Sequence, residues 1–371
     1  MKVAVVLGTR PEIVKMSPVI RALDRRGVEH DVIHTGQHYS REMDAVFFET
    51  LALAPPAFNL EVGSGSHGAQ TGRILAGVEE ALRASSPDVV LVQGDTNTVV
   101  AGALAASKLG IRVGHVEAGL RSFDRSMPEE INRVVADHVA DLLFAPTAAC
   151  AATLAREGIP ATRVHVTGNT VVDAVFAHRD LAAARSTVLA ELGVAPGGYL
   201  LLTAHRQENV DDARRFAGIL AGAAAAGEAL GAPVLYPIHP RSRKMLARHG
   251  LDARSVRLVD PLDFLGFLAL ESRARLVLTD SGGVQEEACV LGVPCVTLRD
   301  NTERPETIDV GANRLSGVDP ASIQRAVLEA DAALRAWTNP FGDGRAGERI
   351  VDLALASPPS RAPGLGGRAS A

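Results

Sequence analysis

The chain has 371 residues, which is too long for one simple hydrophobic core and predicts two domains. Apolar residues make up 47% of the sequence and aromatic residues only 4%, as is typical of α/β proteins with buried parallel strands. The formal net charge of −5 argues against a surface that binds nucleic acid or an anionic membrane.

No segment of the sequence resembles a membrane anchor or a secretion signal. No stretch approaches the roughly 20 apolar residues that a membrane span needs. The apolar run 1–7 meets Arg10 and Glu12 at once, which indicates a first β-strand and not a signal peptide. The three cysteines have no CxxC spacing and no histidine partners at zinc spacing, so we expect reduced structural thiols and no metal site. These features predict a cytoplasmic protein without a membrane partner.

Strand-like and helix-like segments alternate through the first half of the chain. The predicted strands cover residues 2–7, 31–35, 89–92, 113–116, 142–145 and 164–167. The predicted helices cover residues 11–25, 39–51, 70–84, 99–108 and 129–139. A regular alternation of this kind predicts a doubly wound parallel sheet.

The same alternation restarts after a junction near residues 168–175. Here the predicted strands cover residues 200–203, 234–237, 256–259, 276–278 and 295–298. The predicted helices cover residues 173–191, 212–230, 241–248 and 320–335. We therefore expect two α/β domains, over 1–170 and 171–344, and a disordered tail over 357–371, which is rich in Pro, Gly, Ser and Arg.

The loops that follow the strands are the candidate sites, because open α/β sheets bind ligands beyond the carboxyl ends of their strands. One loop of the second half places Ser281, Gly282 and Gly283 before a predicted helix, whose free backbone amides would form a seat for phosphate. Glu286 and Glu287 follow one turn later and are poor partners for phosphate. We expect them to contact sugar hydroxyls, which makes a nucleotide-sugar the first ligand hypothesis.

Two cations follow the first strand. Arg10 lies in the strand-end loop and Lys15 lies one turn further on, where both could hold a diphosphate or balance carboxylates. The alternative is an ordinary solvated helix start. The loop matches neither a Walker motif nor a GxGxxG fingerprint, which disfavours ATP and NAD as ligands.

Three carboxylates of the first half follow a strand or open a helix. Asp95 follows a strand, and Glu117 ends an apolar strand, where partial desolvation would raise its pKa as a general acid or base requires. Glu129 lies in the first turn of a helix. Each has an ordinary alternative, such as a helix cap for Asp95. Together the three favour paired acid and base roles, and we interpret the neighbouring His115 as a structural histidine.

Histidine, arginine and aromatic side chains occupy the loops of the second half. His205 and Arg206 follow a strand and would face the ligand. His239 also ends a strand, and we favour a structural role for it. Phe267 lies on a predicted loop, where its ring could stack on a base, although an aromatic at such a place is more often part of the core.

A series of motifs occurs in order along the chain. They are Gly-Thr-Arg-Pro-Glu at 8–12, Gln-Gly-Asp-Thr at 93–96, Gly-His-Val-Glu-Ala-Gly-Leu-Arg at 114–121, Pro-Glu-Glu at 128–130, Val-Thr-Gly-Asn-Thr at 166–170, Thr-Asp-Ser-Gly-Gly-Val-Gln-Glu-Glu at 279–287 and Thr-Glu-Arg-Pro-Glu at 302–306. From Met1 to about Leu355 the chain resembles the bacterial non-hydrolysing UDP-N-acetylglucosamine 2-epimerases.

The resemblance implies a GT-B architecture. In that fold, two Rossmann-like domains with doubly wound parallel sheets surround a central cleft, and a C-terminal helix, here 345–356, crosses back to the first domain. The resemblance also implies a homodimer that takes a UDP-sugar as substrate and needs no cofactor.

The implied reaction inverts C2 of the sugar. A base removes the C2 proton while UDP leaves C1, which gives a 2-acetamidoglucal, and UDP adds back after a proton returns to the other face. By position, the catalytic residues would be Asp95, Glu117, Glu129 and His205. The substrate-binding residues would be Arg10, Lys15, Phe267, Ser281, Gly282, Gly283, Glu287 and Arg304.

Other functions share parts of this pattern. A hydrolysing homologue would release UDP and free N-acetylmannosamine. Segment 35–43 is longer than in the simplest family members, and segment 63–70 differs from the stretch that in some members helps to bind a second, activating UDP-N-acetylglucosamine. The chain also resembles 2-epimerases of modified UDP-sugars such as 2,3-diacetamido uronic acids. A GT-B glycosyltransferase and a non-catalytic nucleotide-sugar sensor are the remaining alternatives, and the three intact carboxylates argue against the sensor.

Overall fold

The computed structural model describes residues 1–37, 47–253 and 255–356. The chain divides into two compact units, of which the first contains residues 1–174 and the segment from 342 onward. The second unit is Val175–Phe341. The predicted tail at 357–371 and most of the predicted helix at 39–51 lie outside the described residues. None of the described helices is long and apolar enough to cross a membrane.

A seven-stranded parallel sheet forms the centre of the first unit. Its strands are β1 (Val3–Leu7), β2 (His30–His34), β3 (Phe58–Asn59), β4 (Val89–Gln93), β5 (Arg112–Val116), β6 (Leu142–Ala145) and β7 (Val164–Val166). They lie in the order β3-β2-β1-β4-β5-β6-β7. The order changes direction between β1 and β4, which is where open α/β sheets bind their ligands. The mainly apolar strands β1, β4 and β5 are buried along their whole length, as expected for a sheet covered on both faces.

Five helices of nine residues or more connect these strands within the described part of the first unit. They are α1 (Arg10–Arg25), α2 (His67–Ser85), α3 (Asn97–Lys108), α4 (Pro128–Val139) and α5 (Ala148–Arg156), and a short 3-10 helix covers Ala161–Arg163. Pro11 and Pro128 lie in the first turns of α1 and α4, where a missing backbone N–H costs no helical hydrogen bond.

A six-stranded parallel sheet forms the centre of the second unit. Its strands are β8 (Leu200–Thr203), β9 (Val234–Pro237), β10 (Arg257–Val259), β11 (Leu276–Thr279), β12 (Cys295–Thr297) and β13 (Asn313–Leu315), in the order β10-β9-β8-β11-β12-β13. The direction changes between β8 and β11. The helices are α6 (Thr170–Arg185), which begins in the first unit, and then α7 (Val188–Glu191), α8 (Gln207–Val210), α9 (Ala213–Leu230), α10 (Pro240–His249), α11 (Phe264–Ser272), α12 (Gly282–Leu291), α13 (Pro305–Asp309) and α14 (Pro320–Ala332).

These two doubly wound parallel sheets confirm the predicted fold class. The structure also corrects two local predictions. The predicted helix at 173–191 is two helices, with a break at Ser186 and Thr187. The Ser186 hydroxyl accepts a hydrogen bond from Val188 N–H, and the Thr187 hydroxyl donates one to the Glu191 carboxylate. These side-chain hydrogen bonds interrupt the helix. The predicted loop around Phe267 is helix α11, whose first turn is capped by Asp263.

The segment that returns from the second unit forms α15 (Ala346–Ala356) and packs on α1 in the first unit. The Asp173 carboxylate accepts hydrogen bonds from the first amides of α15, at 3.2 Å from Ala346 N and 2.9 Å from Gly347 N. A Cβ atom at Gly347 would lie 2.8 Å from the Pro18 carbonyl carbon. The glycine therefore allows close contact between the two helices.

We expect Gly347→Ala to lower the free energy of unfolding by about 1–3 kcal/mol, because the added methyl group must push α15 away from α1. Gly72→Ala is the matched control, since Gly72 lies on the exposed face of α2 with open space around its Cα. Alanine there should raise stability by about 1 kcal/mol through helix propensity. Denaturant unfolding of both variants checks the opposite signs, and equal effects would contradict the packing argument.

Candidate active site

A buried ion pair lies at the strand ends of the first unit. Glu117 follows β5 directly, and its Oε2 atom lies 2.6 Å from Lys15 Nζ on α1. Gln93, at the end of β4, donates its side-chain amide to the same oxygen. All three side chains are buried, and a buried carboxylate needs such donors because it has lost its hydration. The predicted residues Lys15 and Glu117 therefore form one site.

The backbone of Glu117 has a left-handed conformation, with φ of +70°. A residue other than glycine pays on the order of 1–3 kcal/mol for such a conformation, and it persists where the surrounding structure enforces it. Here the amides of Glu117 and Ala118 both donate to the carbonyl of Phe144 on β6, at 3.1 and 3.2 Å. The turn directs the carboxylate towards Lys15 and Gln93.

Asp95 lies in the loop between β4 and α3, and its carboxylate pairs with Arg133 on α4. The Asp95 side chain remains 32% exposed, so it is accessible while it is held in place. Arg133 also binds Glu130 at 2.6 Å, and Glu130 accepts the backbone amides of Ser122 and Phe123. This network fixes the loop after Glu117.

Glu129, the third predicted carboxylate, is exposed in the first turn of α4. Its neighbour Glu130 is the buried member of the pair and holds Arg133 and the adjacent loop. Arg10 is partly exposed, and its guanidinium lies over the Phe47 ring at 5.3 Å from the ring centre.

Glu12 is a buried titratable group near Asp95 that the sequence interpretation did not single out. Its carboxylate accepts hydrogen bonds from Thr9 N–H at 3.1 Å and from the Thr96 hydroxyl at 2.5 Å. Burial raises the pKa of Glu12 to about 7, against these hydrogen bonds and with a further contribution from the charge of Asp95. The spacing of Thr9 and Glu12 is that of a helix capping box, which was the available signal in the sequence.

In the second unit, Asp280 organises the change of direction between β8 and β11. Its fully buried carboxylate accepts hydrogen bonds from the backbone amides of His205 and Arg206, at 3.1 and 3.0 Å, and from the Asn209 side chain at 3.1 Å. The His205 side chain is 46% exposed, with Nδ1 3.4 Å from the Asp280 carboxylate. The loop is thus fixed through its backbone, while the predicted His205 ring faces solvent.

The amino terminus of α12 follows β11 directly. Ser281 is the N-cap residue, and its side chain makes no capping hydrogen bond. A Cβ atom at Gly282 would lie no closer than 3.7 Å to another group, and one at Gly283 no closer than 3.9 Å. The fold does not require glycine at either position. Glycine does place no side chain beside the first amides of α12, as close approach of a ligand to the backbone needs.

Three arginines surround Glu303 next to this helix. Arg299 binds it at 2.8 Å and Arg206 lies 3.5 Å from it. Burial alone would raise the pKa of Glu303, but Arg206, Arg299 and Arg304 outweigh it and hold the pKa far below its usual range. Arg304 also pairs at 2.5 Å with the fully buried Glu286. Glu286 is therefore a partner of Arg304, which corrects the expectation that it contacts a sugar.

The predicted residue Glu287 is partly exposed on α12 and forms a carboxyl pair with Glu271 on α11. Glu271 is fully buried; burial and the neighbouring Glu287 together raise its pKa well above the usual value. Phe267 is partly buried on α11. Within the described ranges, no three His, Cys, Asp or Glu side chains cluster in a way that could hold a metal ion.

Two Rossmann-like units, each with polar groups gathered where the strand order reverses, define a fold of the GT-B type. The model of the UDP-N-acetylglucosamine 2-epimerase family matches residues 21–355. The chain therefore belongs to that family, and it is an enzyme.

Several relatives support this membership. A UDP-N-acetylglucosamine 2-epimerase of Methanocaldococcus jannaschii is 51% identical over 95% of this chain and 98% of its own. A crystal structure of the enzyme of that organism, in complex with UDP-GlcNAc and UDP, matches with a TM-score of 0.91 and 50% identity over 96% of this chain and 100% of its own. A UDP-2,3-diacetamido-2,3-dideoxy-D-glucuronate 2-epimerase of Pseudomonas aeruginosa is 40% identical over 95% of this chain and 99% of its own.

The raised pKa of Glu12 predicts a pH dependence of stability. The folded state keeps the proton to about pH 7, whereas the unfolded chain releases it near pH 4.5, so stability falls as pH rises between these values. Glu12→Gln removes this pH-dependent contribution to stability. Its unfolding free energy relative to the wild type should therefore rise by about 3 kcal/mol from pH 4.5 to 7.5. Denaturant titrations across this pH range measure the unfolding free energy of the variant relative to the wild type. The control is Glu80→Gln at an exposed position, for which this difference should not change with pH. A difference that does not change with pH for Glu12→Gln either would contradict the raised pKa.

Proposed function

We propose that this enzyme interconverts UDP-N-acetylglucosamine and UDP-N-acetylmannosamine by inversion at C2. The observation that carries the proposal is the buried Lys15–Glu117 pair, with Asp95 held on the neighbouring loop at the strand ends of the first unit. Family membership supports the choice of substrate, as does the 51% identical relative, which is named a UDP-N-acetylglucosamine 2-epimerase.

The proposed reaction is an elimination followed by an addition. A carboxylate takes the C2 proton, the electron pair of the C–H bond forms the C1–C2 double bond, and the C1–O bond breaks to release UDP. The intermediate is 2-acetamidoglucal. A second group then returns a proton to the opposite face of C2, and UDP re-forms the C1–O bond. Two acid–base groups are required, one for each face.

In this proposal, the first unit supplies the proton chemistry. Asp95 and Glu117 exchange the C2 proton, and Glu129 is the third carboxylate at the sugar. Lys15 balances the charge of Glu117, and Arg10 adds positive charge at the strand end next to them.

The second unit supplies the anion seat in the same proposal. The seat at Ser281, Gly282 and Gly283 binds the diphosphate, since a helix amino terminus attracts negative charge. Arg304 and the exposed His205 ring add donors to phosphate oxygens. The two remaining contacts are Glu287 to the ribose and Phe267 to the uracil.

A 2-epimerase of a modified UDP-sugar is the second candidate, because the relative from Pseudomonas aeruginosa carries such a name at 40% identity. Competition between UDP-GlcNAc and UDP-2,3-diacetamido-2,3-dideoxy-D-glucuronate separates the two. The proposal expects a higher kcat/KM for UDP-GlcNAc, and the reverse order would replace it with the second candidate.

Product analysis tests the reaction type. Proton NMR of UDP-GlcNAc with the wild type should show conversion to UDP-N-acetylmannosamine and an equilibrium mixture of the two. Stoichiometric release of UDP with free N-acetylmannosamine would indicate a hydrolysing enzyme. Turnover only in the presence of an added sugar acceptor would indicate a glycosyltransferase.

We expect Asp95→Asn and Glu117→Gln each to lower kcat by about 100-fold or more, because each removes a proton acceptor but keeps the size of the side chain. The Kd for UDP, measured by calorimetry, should change by less than about threefold, since the proposed UDP contacts lie on other residues. Glu80→Gln serves as the control variant, since Glu80 is exposed on α2. Near-normal kcat in both variants would remove these residues from the mechanism.

Gly283→Ala separates folding from binding. The fold has room for the methyl group, and alanine favours a helix, so the melting temperature should be unchanged or higher. The same methyl group covers the amides of the proposed diphosphate seat, and we expect the Kd for UDP to rise about tenfold, or about 1.4 kcal/mol. The stabilising Gly72→Ala should leave this Kd unchanged. An unchanged Kd in Gly283→Ala would place the diphosphate elsewhere.

A further inference from the structure

His115 and Asp137 form a fully buried pair beneath the loops that carry Asp95 and Glu117. His115 lies on β5, and its Nδ1 atom is 2.7 Å from the Asp137 carboxylate on α4. Its Nε2 atom is 2.8 Å from the carbonyl oxygen of Gly94. Because Gly94 precedes Asp95 in the chain, this hydrogen bond fixes the backbone from which the Asp95 side chain departs.

The other oxygen of Asp137 reaches the second loop. It accepts a hydrogen bond from Gly119 N–H at 3.2 Å and pairs with Arg121 at 2.7 Å. Gly119 has φ of +87° and lies two residues after the left-handed Glu117. One buried pair therefore connects the backbone of both loops, and each loop carries a carboxylate that we assign to the reaction.

The hydrogen-bond partners define the protonation state of His115. A backbone carbonyl and a carboxylate only accept hydrogen bonds, so both ring nitrogens must donate and the ring is an imidazolium. Burial lowers the pKa of His115, but the charge of Asp137 and the hydrogen bonds to Asp137 and Gly94 outweigh it and raise the pKa above its usual value. Burial would raise the pKa of Asp137, but His115 and Arg121 hold it below its usual range.

Three charged groups lie around this pair. Arg121 binds Asp137 from the loop after β5, and Glu157 binds Arg121 at 2.7 Å from the end of α5. Glu117 adds its charge from the active-site side. If the imidazolium loses a proton, one of its two hydrogen bonds is lost, and the link between the loops opens.

We propose that His115 and Asp137 are positioning residues that set the relative placement of Asp95 and Glu117. The role rests on the proposed C2 epimerisation, in which these carboxylates exchange the proton. A buried ion pair is a poor source of stability compared with apolar packing, whereas its directional hydrogen bonds fix geometry well. A proton transfer is sensitive to displacements of less than 1 Å, so a small relaxation of the loops lowers kcat.

The test uses His115→Gln and Asp137→Asn in the full chain. Each variant keeps the approximate shape but removes the imidazolium or the carboxylate. We expect kcat to fall about 10- to 100-fold, while KM for UDP-GlcNAc and the Kd for UDP stay within about threefold of the wild type. His138→Gln is the matched control, since His138 follows Asp137 on α4, is exposed, and has its ring hydrogen-bonded to Val134 O of the same helix. It should retain the wild-type kcat.

The pH profile supplies a readout that a purely structural role would not change. The wild-type kcat should fall at alkaline pH as the His115 ring loses its proton, and this fall should be absent or shifted in His115→Gln. The wild-type profile needs no variant, so the test stands even if one substitution prevents folding. Asp137→Asn should move the fall to lower pH, because the imidazolium loses its counter-charge.

Three results would overturn this role. The first is near-normal kcat in both folded variants. The second is a loss confined to KM or to melting temperature. The third is an alkaline fall of kcat that is the same in the wild type and in His115→Gln. A wild type without any epimerase activity would contradict the proposed function itself, and it is recognised before any variant is made.

Discussion

The left-handed backbone at Glu117 is the constraint on which the first unit depends. It turns the chain abruptly at the end of β5 and points a carboxylate at Lys15 instead of continuing the strand. The Phe144 carbonyl on one side and the Asp137 carboxylate on the other hold that turn. Because the partners are backbone groups of the sheet and a buried side chain, the geometry is set by the fold and not by a flexible loop.

The two units share the doubly wound topology but carry different polar groups at the point where the strand order reverses. In both, the polar groups lie where the strand order reverses, because the loops on either side of that point diverge and leave space. The first unit fills this position with carboxylates that are paired with cations. The second unit places arginines and the amino terminus of α12 there, and Asp280 and Glu303 hold the neighbouring residues through hydrogen bonds and ion pairs. In the proposed function, proton transfer and anion binding therefore belong to separate units.

Much of the fold could be predicted from the sequence, because long apolar strands alternate with helices and end at glycine-rich polar loops. The short strands β3 and β13 could not, since two or three residues give no apolar run. Helix α11 was missed because its start depends on the Asp263 cap in a segment that is apolar throughout. Periodicity gives no clear signal in such a segment.

The site was predictable at the level of loops but not of individual contacts. Strand-end position identified Glu117 and Lys15 as candidates, yet their contact joins residues that are 102 positions apart. The same holds for Arg304 and Glu286, because only the structure shows that this glutamate forms an ion pair with an arginine. The raised pKa of Glu12 likewise depends on burial and on the nearby Asp95, which spacing along the chain does not reveal.

The central claim is that the enzyme breaks and re-forms the C2–H bond of the sugar through groups that exchange protons with water. Proton NMR of UDP-GlcNAc and wild-type enzyme in heavy water measures this directly. The account predicts that deuterium appears at C2 of both UDP-sugars as they interconvert, and that Glu117→Gln slows its incorporation together with turnover. Interconversion of the two sugars with C2 fully protonated would contradict the account.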